Sequence, residues 1–465
     1  MFETLDDVPW ADLAHAYGPA ADVPGQLRGL ASPDAKVRDA ALDRLYGNVF
    51  HQGTRFEASP HVVPFLAELC GDDRTPRRDQ VLRLWAAIIA GYFDLWDPGH
   101  WCDGVTVHSY HETYPLGAEG TWAEGDGWLA DIYARSMNAA PLLGRLLLAD
   151  EDAVRAAAAN VLACLRTRPE SLPPLREALS AEDHPQVRAA LLFALGELGD
   201  VETVRRAAAD DAEPPAARCM AACELSKLDP RPWLAPLLVG FIEEPVEGYE
   251  NVPGAAADSA GDAGTALSRL PLELRAEAVP PLIRRLRETQ GFALMPVAAS
   301  LLSAAFERSE TLPDPLSPAQ REVLTELVAN PEVWSLGNLS STFTAYGLPS
   351  KAFTAREETA ALLGVRVADD RPLLDLASAC HFAEMGFAKE ARERIEAAVA
   401  ADPAVFARAA DPAACHLAAA RAYAETDPER AAADFEAAAE TDPRVAERVG
   451  VREPLRRLLE ERGLV

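Results

Sequence analysis

The sequence predicts an all-α fold, a right-handed α-α superhelix, and three observations carry that expectation. Of the 465 residues, 49% are hydrophobic but only 7% aromatic, a balance that favours close-packed helices over sheets. Four segments share one helical stripe of small and apolar residues. The last three of those stripes recur at a nearly constant spacing.

The stripes align without gaps. They are Val37-Arg38 with Ala41 and Leu45, Val154-Arg155 with Ala158 and Leu162, Val187-Arg188 with Leu191 and Leu195, and Ala217-Arg218 with Ala221 and Leu225. Positions i, i+4 and i+8 lie on one face of an amphipathic helix. Val154, Val187 and Ala217 begin 33 and then 30 residues apart, and a fixed period in that range marks a helical array.

Each stripe follows an acidic, turn-forming approach: Ser32-Pro33-Asp34, Asp150-Glu151-Asp152, Glu182-Asp183-His184-Pro185 and Asp210-Asp211-Ala212-Glu213-Pro214. Asp or Ser caps the free amides of a first turn, and Pro suits the first helical position. Ahead of the first three approaches lies a leucine-bearing helix opening at Pro24, Pro141 or Pro173-Pro174. The unit is helix, short acidic turn, helix.

An arginine in the first turn opposes the helix dipole and needs compensation. Asp34, Asp152 and Asp183 are placed to supply it, within or between repeats. Arg38, Arg155, Arg188 and Arg218 are therefore expected to form a structural ladder, with anion binding as the alternative.

The stretch Val187-Arg188-Ala189-Ala190-Leu191-Leu192-Phe193-Ala194-Leu195-Gly196-Glu197-Leu198-Gly199-Asp200 resembles the short bacterial HEAT repeat, also called PBS-lyase-like. The resemblance extends over roughly residues 20–310 and implies a HEAT/armadillo-type solenoid. The first 70 residues, through Tyr46-Gly47-Asn48-Val49-Phe50-His51-Gln52-Gly53-Thr54, resemble a broad group of bacterial HEAT-repeat proteins of uncharacterised function. A HEAT array implies fold more than task.

Thr311-Leu312-Pro313-Asp314-Pro315-Leu316-Ser317-Pro318 is punctuated like a linker. Further on, Ala379, Phe382, Ala391, Ile395, Ala398 and Pro403 fall at the small and large positions of a TPR unit. Ala431, Phe435, Ala438 and Pro443 repeat its second helix 40 residues later, although Asp375 stands where TPR units carry an aromatic. The expected organisation is N-terminal HEAT-like repeats over 1–93, an insertion over 94–128, and a HEAT array over 129–310. A linker with irregular helices follows over 311–370, then TPR-like repeats over 371–465 that end in a capping helix at 444–462.

The insertion breaks the pattern. Between Arg83 and Arg135 there is no Lys or Arg, but eight acids, three histidines, five of the eight tryptophans and four of the nine tyrosines. So long a segment inside an array is expected to be functional, and its aromatic content argues for an ordered insertion. Its rings Trp96, Trp101, Tyr110, Trp122 and Trp128 are candidate binding residues, because Trp and Tyr bury large areas at small entropic cost. His51 and Gln52 join them at the corner Gly47–Thr54, where Gly47 and Gly53 are expected to take positive φ and Asn48 to cap. His100, Cys102, Asp103, His108, His111 and Glu112 include metal-capable side chains, but no second pair has ligand spacing, so no metal site is expected.

Charge limits the partners. A net charge of -29 repels phosphate backbones and anionic lipid, so neither nucleic acid nor a membrane surface is expected. Seven cysteines without any Cys-x-x-Cys, and an acidic N-terminus unlike a signal peptide, imply a reducing cytoplasm. Cys219 and Cys223, at i and i+4, are expected to pack in the core. No Gly-x-Ser-x-Gly, phosphate-binding glycine loop or His-Glu-x-x-His is present. The expected function is a non-enzymatic, cofactor-free scaffold or adaptor that binds a basic protein. The alternatives are an immunity or regulatory protein masking a toxin or effector, a PBS-lyase-like enzyme, and a HEAT-like DNA glycosylase.

Overall fold

A computed structural model describes residues 1–51, 54–90, 127–165, 169–351, 354–367, 371–384, 386–409, 411–448 and 453–464. Two compact units emerge, Met1–Leu282 and Ile283–Val465, and the boundary falls inside the helix Val279–Glu288. Among the described residues the only strands are two short hairpins, β1 (Ala14–His15) with β2 (Gly18–Pro19) and β3 (Phe50–His51) with β4 (Thr54–Arg55). No described helix is long and apolar enough to cross a membrane.

The first unit is a HEAT-type stack of helix pairs. They are α1 (Val23–Leu30) with α2 (Ala35–Asn48), then α3 (Ser59–Gly71) with α4 (Arg78–Ala90). Next come α5 (Gly127–Asn138) and α6 (Ala140–Leu146), which together precede α7 (Asp152–Ala163). The pairs α8 (Leu172–Ala181) with α9 (Pro185–Glu197), α10 (Val201–Ala209) with α11 (Pro215–Leu228), and α12 (Leu234–Glu243) with α13 (Ser259–Leu267) complete it. Second helices pack on one another in sequence, α4 on α7, α7 on α9, α9 on α11 and α11 on α13.

Packing density follows from residue size. Every residue from Ala156 to Ala163, from Ala189 to Gly196 and from Cys219 to Ser226 is buried, so these second helices are enclosed on all sides. Alanines let neighbouring backbones approach, and leucines fill what remains. At Gly196 a Cβ would lie 2.6 Å from the Glu224 side chain, so only glycine fits where α9 meets α11. Of the four acidic approaches only the first caps its helix through a side chain, Asp34 Oδ1 accepting the Lys36 amide, whereas the N-cap residues Glu151, His184 and Pro214 make no such bond; Asp200 caps α10 by accepting the Thr203 amide.

The second unit opens with less regular helices, Leu294–Ala305, Pro318–Ala329 and Ala355–Leu363. Ser317 and Gln320 form a reciprocal capping box at the head of Pro318–Ala329, within the stretch that reads as a linker in the sequence. Two TPR-like hairpins follow, Arg371–Glu384 with Ala388–Ala401 and Pro412–Tyr423 with Pro428–Thr441. Their core holds Ala379, Ala391, Ile395, Ala398, Ala431, Phe435 and Ala438, and the closing helix Glu453–Glu461 adds Leu455 and Leu459.

One local expectation fails. Gly47 takes no positive φ and lies inside α2, which runs on to Asn48. The chain leaves α2 at Val49 and enters β3, which pairs with β4; Gly53 lies outside the described residues.

Candidate functional site

The arginines at the heads of the second helices share one arrangement. Arg155 donates to the carbonyls of Ala149 and Asp150, at 2.9 and 3.1 Å, in the turn before its own helix. It then reaches into the next repeat and grips Glu182 with Nε and Nη2, at 2.7 and 3.1 Å, while Nη2 also meets Asp152 at 2.7 Å. Arg188 repeats this, donating to the carbonyls of Leu179 and Glu182 and forking onto Glu213 at 2.6 and 2.9 Å. Arg38 holds only the carbonyls of Ser32 and Pro33, and Arg218 pairs with Asp211 at 2.6 Å and the Ala208 carbonyl. A bidentate guanidinium–carboxylate pair is the strong form of this bond.

Sequence proximity assigned two of the acidic partners wrongly. Arg188 is neutralised chiefly by Glu213 across the repeat boundary, with Asp183 adding only a weaker attraction, and the Asp34 carboxylate caps its helix and does not bond the Arg38 guanidinium. Sequence reasoning also missed Arg78, which is buried at the head of α4 and grips Glu151, at 2.8 and 2.9 Å, as well as Asp73. The available signal was the acidic pair Asp72-Asp73 ahead of it, as in the other turns. A second row links first helices to later turns: Arg176 pairs with Asp200 and Arg205 with Asp229, each 24 residues on.

Electrostatics agree with this geometry. Burial works against the charge of Glu182, yet Arg155 and the amides of His184 and Asp183 outweigh it and hold the carboxyl below its ordinary range. Burial also opposes charge on Asp200, where Arg176 and Thr203 prevail in the same sense.

Glu224 behaves oppositely. It is buried between α9 and α11, and burial pushes its carboxyl up to about 8, with Glu197 adding to the rise and Lys227 opposing it. Lys227 bridges Glu197 and Glu224 at 2.8 and 2.7 Å. A carboxyl with a raised folded-state value binds its proton more tightly when folded. Its contribution is full below the ordinary carboxylate range and is lost as pH climbs through about 8. Thermal stability should therefore fall between about pH 5 and 8 and level off above, and Glu224→Gln should flatten that limb in a melting series. Toward acid the sign reverses, because the depressed Glu182 and Asp200 carboxyls lose their contribution as they protonate.

Between α12 and α13 the usual short turn becomes a strap, residues 244–258, laid back across earlier repeats. Gln186 of α9 donates to the Gly248 carbonyl at 2.9 Å, and Arg83 of α4 to that of Asn251 at 3.1 Å. Tyr249 is fully buried and its hydroxyl donates to Asp262 Oδ2 at 3.0 Å. Gly254, at φ +97°, lies so close to Phe193 that a Cβ would meet the ring at 2.4 Å. Glu244, Glu247 and Glu250 face solvent along the strap. The punctuation Pro245…Gly248…Pro253-Gly254 was the sequence signal for it.

At the N-terminal corner, Asp22 gathers three donors: His15 Nε2 at 3.0 Å, Gln26 Nε2 at 2.7 Å and Asn48 Nδ2 at 3.1 Å. The Tyr17 amide donates to His15 Nδ1, so the His15 proton sits on Nε2. On this base stands Tyr17, 70% exposed, its hydroxyl 3.3 Å from Nδ1 of His51. Of the other candidate binding residues, Trp128 sits in the first turn of α5 and is half exposed. Trp96, Trp101, Tyr110, Trp122 and Gln52 lie outside the described residues, as do His100, Cys102, Asp103, His108, His111 and Glu112. Among the described residues no cluster of three His, Cys, Asp or Glu side chains could hold a metal. Cys219 and Cys223 are both buried in α11, and burial raises the Cys219 thiol.

No curated protein matches this chain. The crystal structure of an engineered protein aligns over 90% of this chain and 98% of its own length, at 14% identity and a TM-score of 0.28, too loose a superposition to bear on the fold. The family model of HEAT repeats matches residues 128–196, from α5 to the end of α9. This stretch of the array, including the rungs Arg155 and Arg188, is therefore built of HEAT repeats.

Proposed function

We propose that this protein is a non-enzymatic protein-binding scaffold of the cytoplasm whose partner is basic. The observation that carries the reading is where the charge goes. Arg78, Arg155 and Arg188 are each paired with carboxylates of the chain itself, so they contribute little to the outer field. Exposed acids such as Glu244, Glu247 and Glu250 remain on the surface of a chain with net charge -29. Such a field steers cationic partners toward the surface and repels polyanions.

Within this reading Trp96, Trp101, Tyr110, Trp122 and Trp128 serve as aromatic anchors, and His51 and Gln52 as polar contacts. A basic toxin or effector held inactive by masking is one concrete form of the partner. Capture from native lysate, read by mass spectrometry, tests the proposal. One basic protein should be enriched, and Trp101→Ala with Trp122→Ala should weaken its capture while the melting temperature stays nearly constant. Enrichment of acidic proteins would contradict it. In a mobility-shift assay at low salt, where electrostatic binding is strongest, DNA should not be retarded by micromolar protein. A salt-sensitive complex there would favour the glycosylase alternative.

A further inference from the structure

In the second unit a cavity of about 680 Å³ opens between the two TPR-like hairpins and the segment 290–292. Its wall includes Phe292, Leu373, Leu376 and His381, together with Arg408 and Asp411. Two cysteines line it as well, Cys380 from the helix Arg371–Glu384 and Cys415 from Pro412–Tyr423. Their sulfurs are 3.5 Å apart, with the Cys380 thiol donating toward Cys415. These helices belong to different hairpins, and 35 residues separate the two thiols in sequence.

We propose that Cys380 and Cys415 are a modification site, a thiol pair that a peroxide converts to a disulfide across the two hairpins. Three features support it. The sulfurs are in van der Waals contact, so rotation about the side-chain bonds has little distance to close before they reach bonding separation. Cys380 is only half-buried and faces a cavity that admits a small oxidant, whereas Cys70, Cys164 and Cys219 are enclosed in the first unit. A resolving thiol beside the attacking one is the arrangement that diverts a sulfenic acid into a disulfide before further oxidation.

The chemistry balances with the peroxide as sole oxidant. The Cys380 sulfur, after losing its proton to solvent, attacks one peroxide oxygen. The O–O bond breaks, Cys380 becomes a sulfenic acid, and the departing hydroxide takes a proton to become water. The Cys415 sulfur then attacks the Cys380 sulfur, the S–O bond breaks, and a second water leaves. Two thiols lose two electrons and one peroxide is reduced to two waters.

The test uses the full chain carrying Cys102→Ser, so that the one cysteine outside the described residues does not contribute. The protein is treated with hydrogen peroxide, quenched, alkylated and mapped by mass spectrometry. The expected result is the loss of two hydrogens from the intact mass, a linked pair of peptides carrying Cys380 and Cys415, and reversal by dithiothreitol. Cys70, Cys164, Cys219 and Cys223 should remain alkylatable once the chain is unfolded. In Cys415→Ser the link should vanish and Cys380 should be trapped by dimedone as a sulfenic acid. Should Cys415→Ser lose helix by circular dichroism, Cys415→Ala serves in its place. Two thiols that remain separately alkylatable after peroxide, or a Cys380 oxidised to sulfinic acid beside a reduced Cys415, would overturn the proposal.

Discussion

Arg188→Ala should lower the unfolding free energy of the repeat array by about 3 kcal/mol, the usual cost of leaving half of a largely buried ion pair behind. Glu213 is enclosed beneath the guanidinium and would keep its charge with no cation to meet it. The carbonyls of Leu179 and Glu182 would lose their donor in the same step. Urea titration followed by far-ultraviolet circular dichroism reads the change. Replacing both partners, as Arg188→Met with Glu213→Leu, should recover much of the loss, since an apolar pair of similar volume has no charge to strand. Arg74→Ala is the contrast: Arg74 bonds only to Asp72 at the surface, and its removal should scarcely move the midpoint.

Gly254→Ala should cost about 2–4 kcal/mol, from a left-handed backbone combined with a steric clash against a buried ring. The new Cβ would stand 2.4 to 2.7 Å from three atoms of the Phe193 ring, and that ring is packed in the core of α9 and cannot swing clear. The strap should lift and free its backbone, so that a glutamate-specific protease cuts after Glu247 and Glu250, where it leaves the native chain intact. Gly248→Ala offers a calibration. Its φ of +76° is also left-handed, but the nearest atom is the flexible end of Gln186 at 3.2 Å, so the cost should be about 1–2 kcal/mol.

The repeat was legible because the chain states it several times over. Val154, Val187 and Ala217 each open a stripe, and each stripe is a buried second helix in the structure. The TPR-like hairpins were legible for the same reason, since Ala391, Ile395 and Ala398 recur as Ala431, Phe435 and Ala438, all in one core. What stood outside the repeat was harder to read. Arg188 finds Glu213 because stacking brings the next turn alongside, 25 residues away, while the sequence offers Asp183 only five residues away. The strap has no period, so its path across Gln186 and Arg83 follows from tertiary packing alone. The corner at His51 was noticed, but its basis in Asp22, His15 and Tyr17 depends on a hairpin of two-residue strands that pattern reading does not resolve.

The proposed function rests on an acidic surface steering a basic partner, and the salt dependence of the association rate constant tests that most directly. With the captured partner in stopped flow, the rate should fall about tenfold or more from low to physiological salt, as electrostatically steered encounters do. The dissociation rate should change far less. An association rate that stays constant across the salt series, or rises with it, would contradict the proposal.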